Sequence, residues 1–106
     1  MNTSRNNYDS IETMIFEEGL RIRSVEIISR PRTMMISLNN NHKFKVRVAF
    51  YKGLKSARVA DLRNFNFIAD GTGIHWPDLD EDLSLKGFLQ DFLRQKINTE
   101  DQLVIA

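Results

Sequence analysis

The segment Gly73–Asp82 contains residue types that can do chemistry, because it places one histidine, one tryptophan and four carboxylates close together. Imidazole and carboxylate groups serve as general acids and bases, and they also bind metal ions. Carboxylates on a surface can instead present negative charge to a basic partner. The candidate residues of this segment are His75, Trp76, Asp78, Asp80, Glu81 and Asp82.

The spacing of these carboxylates argues against a calcium site. Asp78, Asp80 and Asp82 match the first, third and fifth positions of a calcium-binding loop. The match then fails, because Leu83 replaces the glycine of the sharp turn and Leu89 replaces the bidentate glutamate. We therefore expect no calcium ion at this segment.

The further residues that a transition-metal site or a catalytic site would need are also missing from this segment. His75 is the only histidine near the carboxylates, and carboxylates two residues apart in a turn diverge. The segment Asp70–Gly73 resembles the Asp-Thr-Gly of aspartic proteases with one residue inserted, and it is typical of a hairpin turn. The sequence contains no nucleophile elbow and no phosphate-binding glycine loop. It therefore predicts a protein that is not an enzyme and needs no metal or cofactor.

A structural role explains the acidic segment without any ligand. Carboxylates that precede a helix beginning after Ser84 are stabilised by its positive end, by about 0.3–1 kcal/mol each. His75 and Trp76 are adjacent on a strand, so one faces the core and the other the rim. Because tryptophan buries a large area, this interpretation makes Trp76 a packed anchor. The alternative, a partner-binding surface, places both residues at the rim.

A second candidate surface is basic. The cations Lys43, Lys45 and Arg47 alternate with apolar residues, which indicates a half-buried strand with a charged outer face. Further cations follow at Lys52, Lys55 and Arg58. Such a stripe could bind phosphates, with Phe50 or Tyr51 offering stacking, although the pI near 8.1 is low for a nucleic-acid-binding domain. A solvated sheet edge protected by lysine explains the same residues, and both interpretations stay open.

The elements that position these residues are predicted from local patterns. Asp9 and Glu12 form a capping pair for a helix over residues 10–18, which Gly19 ends. β-branched and alternating residues then predict three successive strands and an antiparallel meander. These strands cover residues 21–29, 33–38 and 43–50.

The second half of the chain predicts a hairpin and a covering helix. A short helix precedes a strand over residues 65–69, and a turn leads to the strand Gly73–Trp76, which Pro77 stops. Ser84 caps the last helix, whose apolar stripe comprises Leu85, Phe88, Leu89, Phe92 and Leu93. Gly87 weakens this helix by about 1 kcal/mol relative to alanine, which suggests either close packing there or a helix shorter than the pattern indicates. The pattern predicts an α+β fold, a small antiparallel sheet covered by a C-terminal helix.

Composition and charge set the class of protein. The chain has 106 residues, 42% hydrophobic and 27% charged, with no cysteine and no apolar leader or membrane-spanning run. These features predict a single-domain cytoplasmic protein with no membrane contact. Residues 1–63 carry a net charge of +6 and residues 64–106 a net charge of −5, which sum to the overall +1. Such halves can pair within one molecule, between copies in a homodimer, or with a charged partner.

The region from Ala57 to Leu89 resembles a family of short bacterial domains of unknown function. Its closing pattern is G-x-G-I-H-W-P-x-L-D-E-D, then Ile or Leu, then Ser, and Gly71–Ser84 follows it closely. The resemblance is weaker from Ile22 to Phe50, where Asn39–Lys43 replaces the usual Asp-Gly turn. It implies a small sheet with a covering C-terminal helix and assigns no catalytic residue.

The resemblance also suggests a role in binding. Family members are often encoded beside a small toxin-like protein, which implies an antitoxin-like partner of a small basic protein. We therefore expect a protein-interaction module with a protein partner encoded nearby, and a nucleic-acid-binding regulator as the alternative. The expected domain boundaries are an N-terminal extension over residues 1–19, the domain over 20–93 and a tail over 94–106.

Overall fold

The computed structural model describes residues 7–99, which form two antiparallel sheets of three strands each and three helices. The strands are β1 (Ile22–Ser29), β2 (Arg32–Leu38), β3 (Lys43–Arg47), β4 (Asn66–Ile68), β5 (Gly73–Trp76) and β6 (Glu81–Ser84). The helices are α1 (Ser10–Glu12, continued as a π-helical turn over Thr13–Glu17), α2 (Val59–Leu62) and α3 (Leu85–Thr99). The predicted α+β class is confirmed.

The first sheet is the predicted meander, with strand order β1, β2, β3. On β3 the apolar residues Phe44 and Val46 are buried, while the three cations between and beside them are exposed. The predicted alternation is therefore confirmed, but the strand ends at Arg47. Val48–Phe50 instead forms a 3-10 turn that leaves the Phe50 side chain 58% exposed, so its predicted place on the apolar face is wrong.

The second sheet contains a strand that the sequence pattern did not predict. β6 pairs with β5, with Ser84 opposite Gly73 and Glu81 opposite Trp76. The predicted acidic turn is therefore shorter and covers only residues 77–80. Carboxylates have low strand propensity, so the local pattern concealed β6, and pairing with β5 supplies the backbone hydrogen bonds that decide its conformation.

Helix α3 begins where predicted and covers the sheets. The hydroxyl of Ser84 accepts a hydrogen bond from the Gly87 N–H at 3.0 Å, which confirms the cap. The first two residues of the predicted apolar stripe, Leu85 and Phe88, are fully buried. The last one, Leu93, is 50% exposed, so its predicted burial is wrong. This position of α3 faces solvent rather than the sheets.

The N-terminal helix α1 packs on the same chain. Asp9 and Glu12 form the predicted capping box, with hydrogen bonds of 2.8 and 3.1 Å. Ile15 is 1% exposed and belongs to the core, and Glu12 forms an ion pair of 2.6 Å with Lys86 of α3. The N-terminal segment therefore adds to the core that the two sheets and α3 share.

Helix α3 continues to Thr99, past the position predicted for the start of the tail. The remainder of that predicted tail, residues 100–106, lies outside the described residues, as do residues 1–6 of the predicted extension. Within residues 7–99, no helix combines the length and the apolar character needed to cross a bilayer.

Candidate functional site

The residues of the acidic segment lie on one hairpin, formed by β5, the turn 77–80 and β6, which we call the acidic hairpin (Gly73–Ser84). Its anchor is Trp76, which is fully buried and donates a hydrogen bond from its indole N–H to the carbonyl of Leu62 at 2.9 Å. The packed-anchor interpretation of Trp76 is confirmed. Its alternative place at the rim of a binding surface is wrong, because no part of the side chain reaches solvent.

His75 and Asp82 face each other across the acidic hairpin. They are register partners on β5 and β6, and His75 Nδ1 lies 2.5 Å from Asp82 Oδ1. The side chains are 34% and 64% exposed, and Asn66 of β4 is the register partner of His75 on its other side. The structure therefore brings these two predicted residues together at the surface, on the face of the sheet opposite Trp76.

The other three carboxylates do not converge on one point. Asp78 is exposed and accepts a hydrogen bond from Asn64 Nδ2 at 2.8 Å, and Asp80 is exposed at the turn with a φ of 50°. Glu81 is partly buried against Gly53, where an added Cβ would lie 2.2 Å from its Oε1. The exposed negative charge of the hairpin is thus carried by Asp78, Asp80 and Asp82. Across residues 7–99, no three histidine or carboxylate side chains are grouped closely enough to hold a metal ion.

The predicted basic set is divided by the structure. Three of its members share the outer face of β3, and we call this surface the basic face (Lys43, Lys45 and Arg47). Lys45 of β3 and Glu26 of β1 are both register partners of Met35 of β2. The side chain of Glu26 therefore lies on the same side of the sheet, and the basic face includes one carboxylate nearby. Lys52 and Lys55 are exposed in the turns that follow.

Arg58 belongs to the acidic side of the molecule instead. Its guanidinium forms two contacts of 3.2 Å with the carboxylate of Asp61. The hydrogen bonds and the charge of Asp61 raise the pKa of Arg58, and the charge of Asp78 raises it further. Tyr51 cannot offer the predicted stacking surface either, because it is 8% exposed; Phe50 remains exposed beside it.

A groove that sequence reasoning missed lies beside the acidic hairpin, at the beginning of α3. Its volume is about 370 Å³, and we call it the Tyr51 groove (lined by Tyr51, Gly73, Leu83, Gly87, Phe88 and Asp91 among others). The Tyr51 ring packs edge-on against Phe88, with centroids 5.5 Å apart. One sequence signal pointed here, since glycine inside α3 suggested close packing, and a Cβ at Gly87 would lie 3.2 Å from Ser84 Oγ.

The Tyr51 hydroxyl is buried at the side of this groove, next to the carboxylate of Asp91. Burial raises the pKa of this hydroxyl, and the negative charge of Asp91 and a hydrogen bond to its carboxylate raise the pKa further. Asp91 forms an ion pair of 3.1 Å with Arg94 on its exposed side. The groove therefore combines an apolar lining with a buried hydroxyl that lies beside a carboxylate.

Together these features define a small α+β domain with an acidic hairpin on one sheet, a basic face on the other and a groove beside α3. The chain belongs to the DUF2442 family of proteins of unknown function, whose family model matches residues 22–93. No curated protein matches the chain.

Two solved structures are similar to the chain. A protein of unknown function from Rhodospirillum rubrum is 27% identical, with a TM-score of 0.62, over 67% of this chain and 86% of that one. An uncharacterised protein from Chromobacterium violaceum is 23% identical, with a TM-score of 0.64, over 100% of both chains. The second likeness concerns the fold alone, and both agree with the α+β architecture.

Proposed function

We propose that this protein is a non-enzymatic interaction module that binds a small basic protein through the acidic hairpin. The proposal depends chiefly on one observation, the exposure of Asp78, Asp80 and Asp82 on a short hairpin anchored by the buried Trp76. A hairpin fixed in this way presents its charges without a large loss of backbone entropy on binding.

Charge supports the same proposal. The opposite charges of the two halves of the chain pair only in part within the molecule, since the basic face and the exposed carboxylates of the acidic hairpin lie on different sheets. Exposed surface carboxylates steer basic partners and set which partner is accepted. The family resemblance suggests that the partner is a toxin-like protein encoded nearby, so that this chain acts as its antitoxin-like partner.

The proposal is tested by co-expressing the protein with the product of the neighbouring gene and measuring the dissociation constant of the purified complex. The variant Asp78→Asn with Asp80→Asn should weaken binding about tenfold at low salt. Asparagine tolerates the positive φ of position 80, so the turn should be kept.

The matched control removes two carboxylates elsewhere, by Glu18→Gln with Glu26→Gln, and both positions are exposed on other elements. This control should leave affinity within about twofold. If no complex forms with the neighbouring product, or if both double variants weaken it equally, the proposed function is wrong.

The basic face supports a second candidate, a regulator that binds nucleic acid. Lys43, Lys45 and Arg47 project from one exposed side of β3 with Phe50 exposed at its end, which is an arrangement that can follow a phosphate backbone. Its test is a gel-shift titration at low salt, and absence of binding under that condition removes it.

A further inference from the structure

The strand β4 forms an open edge of the second sheet, which we call the β4 edge (Asn66–Ile68). The strand order is β4, β5, β6, so one side of β4 pairs with β5 and the other side has no neighbour among the described strands. Besides β5, the strand chiefly contacts the turn that follows it, and all three of its residues are exposed. An open edge offers backbone N–H and C=O groups to another chain.

The β4 edge differs from the other edges of the two sheets because it carries no charge. The other edge strands are β1, β3 and β6, and each carries at least two charged residues. These are Arg23 and Glu26 on β1, the basic face on β3, and Glu81 and Asp82 on β6. Charged side chains on an edge strand oppose pairing with further strands, whereas β4 consists of one asparagine and two apolar residues. Among the described strands, β4 is therefore the edge best suited to pairing.

The apolar side chains of the β4 edge are exposed to solvent. Phe67 is 42% exposed and Ile68 is 37% exposed. Phe67 lies opposite the fully buried Ile74 of β5, so its ring is at the margin of the core face of this sheet. The ring is held edge-on against Phe65, with centroids 5.6 Å apart. A strand paired with the outer side of β4 would extend the core face and cover this ring.

The charges at the two ends of β4 match a second copy of this chain. Arg63 precedes the strand and is exposed, and Asp70 follows it with a side chain that is 93% exposed. In an antiparallel pair, the beginning of one strand lies beside the end of the other. Two copies of β4 would therefore bring Arg63 of each copy near Asp70 of the other. Asp70 lies 3.6 Å from Arg21 of its own chain, and its high exposure leaves the carboxylate accessible.

We propose that the β4 edge is a self-association surface, through which two copies of this chain join by antiparallel pairing of their β4 strands. The pair is centred on Phe67, whose ring lies opposite the same ring of the second copy, and the two sheets of three strands become one continuous sheet. Because β4 has three residues, the interface is smaller than that of a stable dimer. The dissociation constant should therefore lie roughly between 10 μM and 1 mM.

The test is sedimentation of the full chain over a concentration series from about 10 μM to 1 mM, with amide NMR spectra of the same samples. The protein should change from monomer to dimer, and the amide signals of Asn66, Phe67 and Ile68 should shift with concentration. A monomer at every concentration, oligomers larger than a dimer, or association without shifts at these amides overturns the proposal. Shifts of these amides only when a basic protein partner is added also overturn it, because that partner is then the occupant of the edge.

A charge placed at the centre of the pair should prevent it. Phe67→Lys should weaken self-association at least about tenfold, because two like charges would face each other across the strands. Phe16→Lys is the matched control, since Phe16 is also an exposed aromatic residue and lies on the turn that continues α1. Equal weakening by both variants overturns the proposal. Thermal unfolding of each variant confirms that it is folded when association is measured.

An exchange of charges identifies the second copy and its direction. Arg63→Glu and Asp70→Lys should each weaken self-association at least about threefold, because each change brings like charges together at both ends of the pair. A mixture of these two variants should associate more tightly than either variant alone, since opposite charges again face each other. A mixture that associates no better than the single variants overturns the antiparallel pair. Asp78→Asn with Asp80→Asn should leave self-association unchanged, so this proposal and the proposed function are tested independently.

Discussion

The indole N–H of Trp76 donates a hydrogen bond to the carbonyl oxygen of Leu62 at 2.9 Å. Both residues have no exposed surface, and the bond joins β5 to α2. It satisfies a buried carbonyl at the end of a short helix and also the only donor of the indole. This contact fixes the acidic hairpin to the rest of the domain.

Replacing Trp76 by phenylalanine should therefore destabilise the protein strongly. The change leaves the Leu62 carbonyl without its partner and removes part of a fully buried ring, so the free energy of unfolding should fall by about 2–4 kcal/mol. Urea denaturation measures the loss. As a control, Phe67→Leu alters a ring that is 42% exposed and should change stability by less than about 1 kcal/mol.

Replacing Tyr51 by phenylalanine should lower the stability of the protein. The change keeps the edge-on contact with Phe88 and removes the hydrogen bond between the buried hydroxyl and Asp91, so the free energy of unfolding should fall by about 1 kcal/mol. Tyr8→Phe is the control, because Tyr8 is 39% exposed. A rise in stability for Tyr51→Phe contradicts the hydrogen bond between the hydroxyl and Asp91.

Tyr51→Phe and Tyr8→Phe should also differ in how their stability changes at alkaline pH. Burial raises the pKa of Tyr51 in the folded protein. The stability that the neutral Tyr51 side chain contributes is therefore fully present below the pKa of an unfolded tyrosine, near 10, and is lost as pH rises through the folded value. The wild type and Tyr8→Phe should therefore lose stability above about pH 10, and Tyr51→Phe should lose less. Urea denaturation at a series of alkaline pH values measures this difference.

The ion pair between Glu12 and Lys86 should make stability depend on acidic pH. The hydrogen bond from Lys86 lowers the pKa of Glu12, and the backbone N–H of Asp9 lowers it further. This contribution is present above the pKa of an unfolded glutamate, near 4.3, and is lost as pH falls through the folded value.

Glu12→Gln should therefore lower the melting temperature at neutral pH and have a smaller effect near about pH 3. Thermal denaturation across this pH range measures the effect. Glu18→Gln, at the exposed end of α1, should have little effect at either pH. An effect of Glu12→Gln that is the same at both pH values would show that the ion pair does not stabilise the docking of α1.

If the protein binds nucleic acid, the basic face should carry the salt dependence. The triple variant Lys43→Gln, Lys45→Gln and Arg47→Gln should reduce the slope of log affinity against log salt by about 3, since each phosphate contact contributes roughly 0.9. Arg58→Gln is the control, because Asp61 already pairs with that guanidinium. An equal effect of Arg58→Gln contradicts the assignment to the basic face.

Local patterns predicted much of the fold. The alternation of Lys43, Phe44 and Lys45 has the period of a strand, and strand and helix periods depend only on neighbouring residues. The caps at Asp9 and Ser84 are likewise local hydrogen bonds, and both form as predicted. The errors came where pairing or packing between elements decides the outcome. β6 forms because it pairs with β5 across a short turn, and Leu93 is exposed although it has helical spacing.

The candidate site was predictable only in part. The acidic residues were visible in the sequence because carboxylates are recognised by type alone. Whether each is exposed depended on partners from elsewhere in the chain, such as Gly53 against Glu81 and Asn64 beside Asp78. The Tyr51 groove was not predictable, since a groove is defined by all the elements that pack around it.

The sequence by itself therefore determined most of the element types, the division of charge and the acidic segment Gly73–Asp82, because these follow from residue type and short-range spacing. Only the tertiary structure decided that Trp76 is a fully buried anchor, that Arg58 pairs with Asp61 and that Tyr51 faces Asp91. Burial and charge pairing are properties of surroundings, and folding assembles those surroundings from residues far apart in the chain.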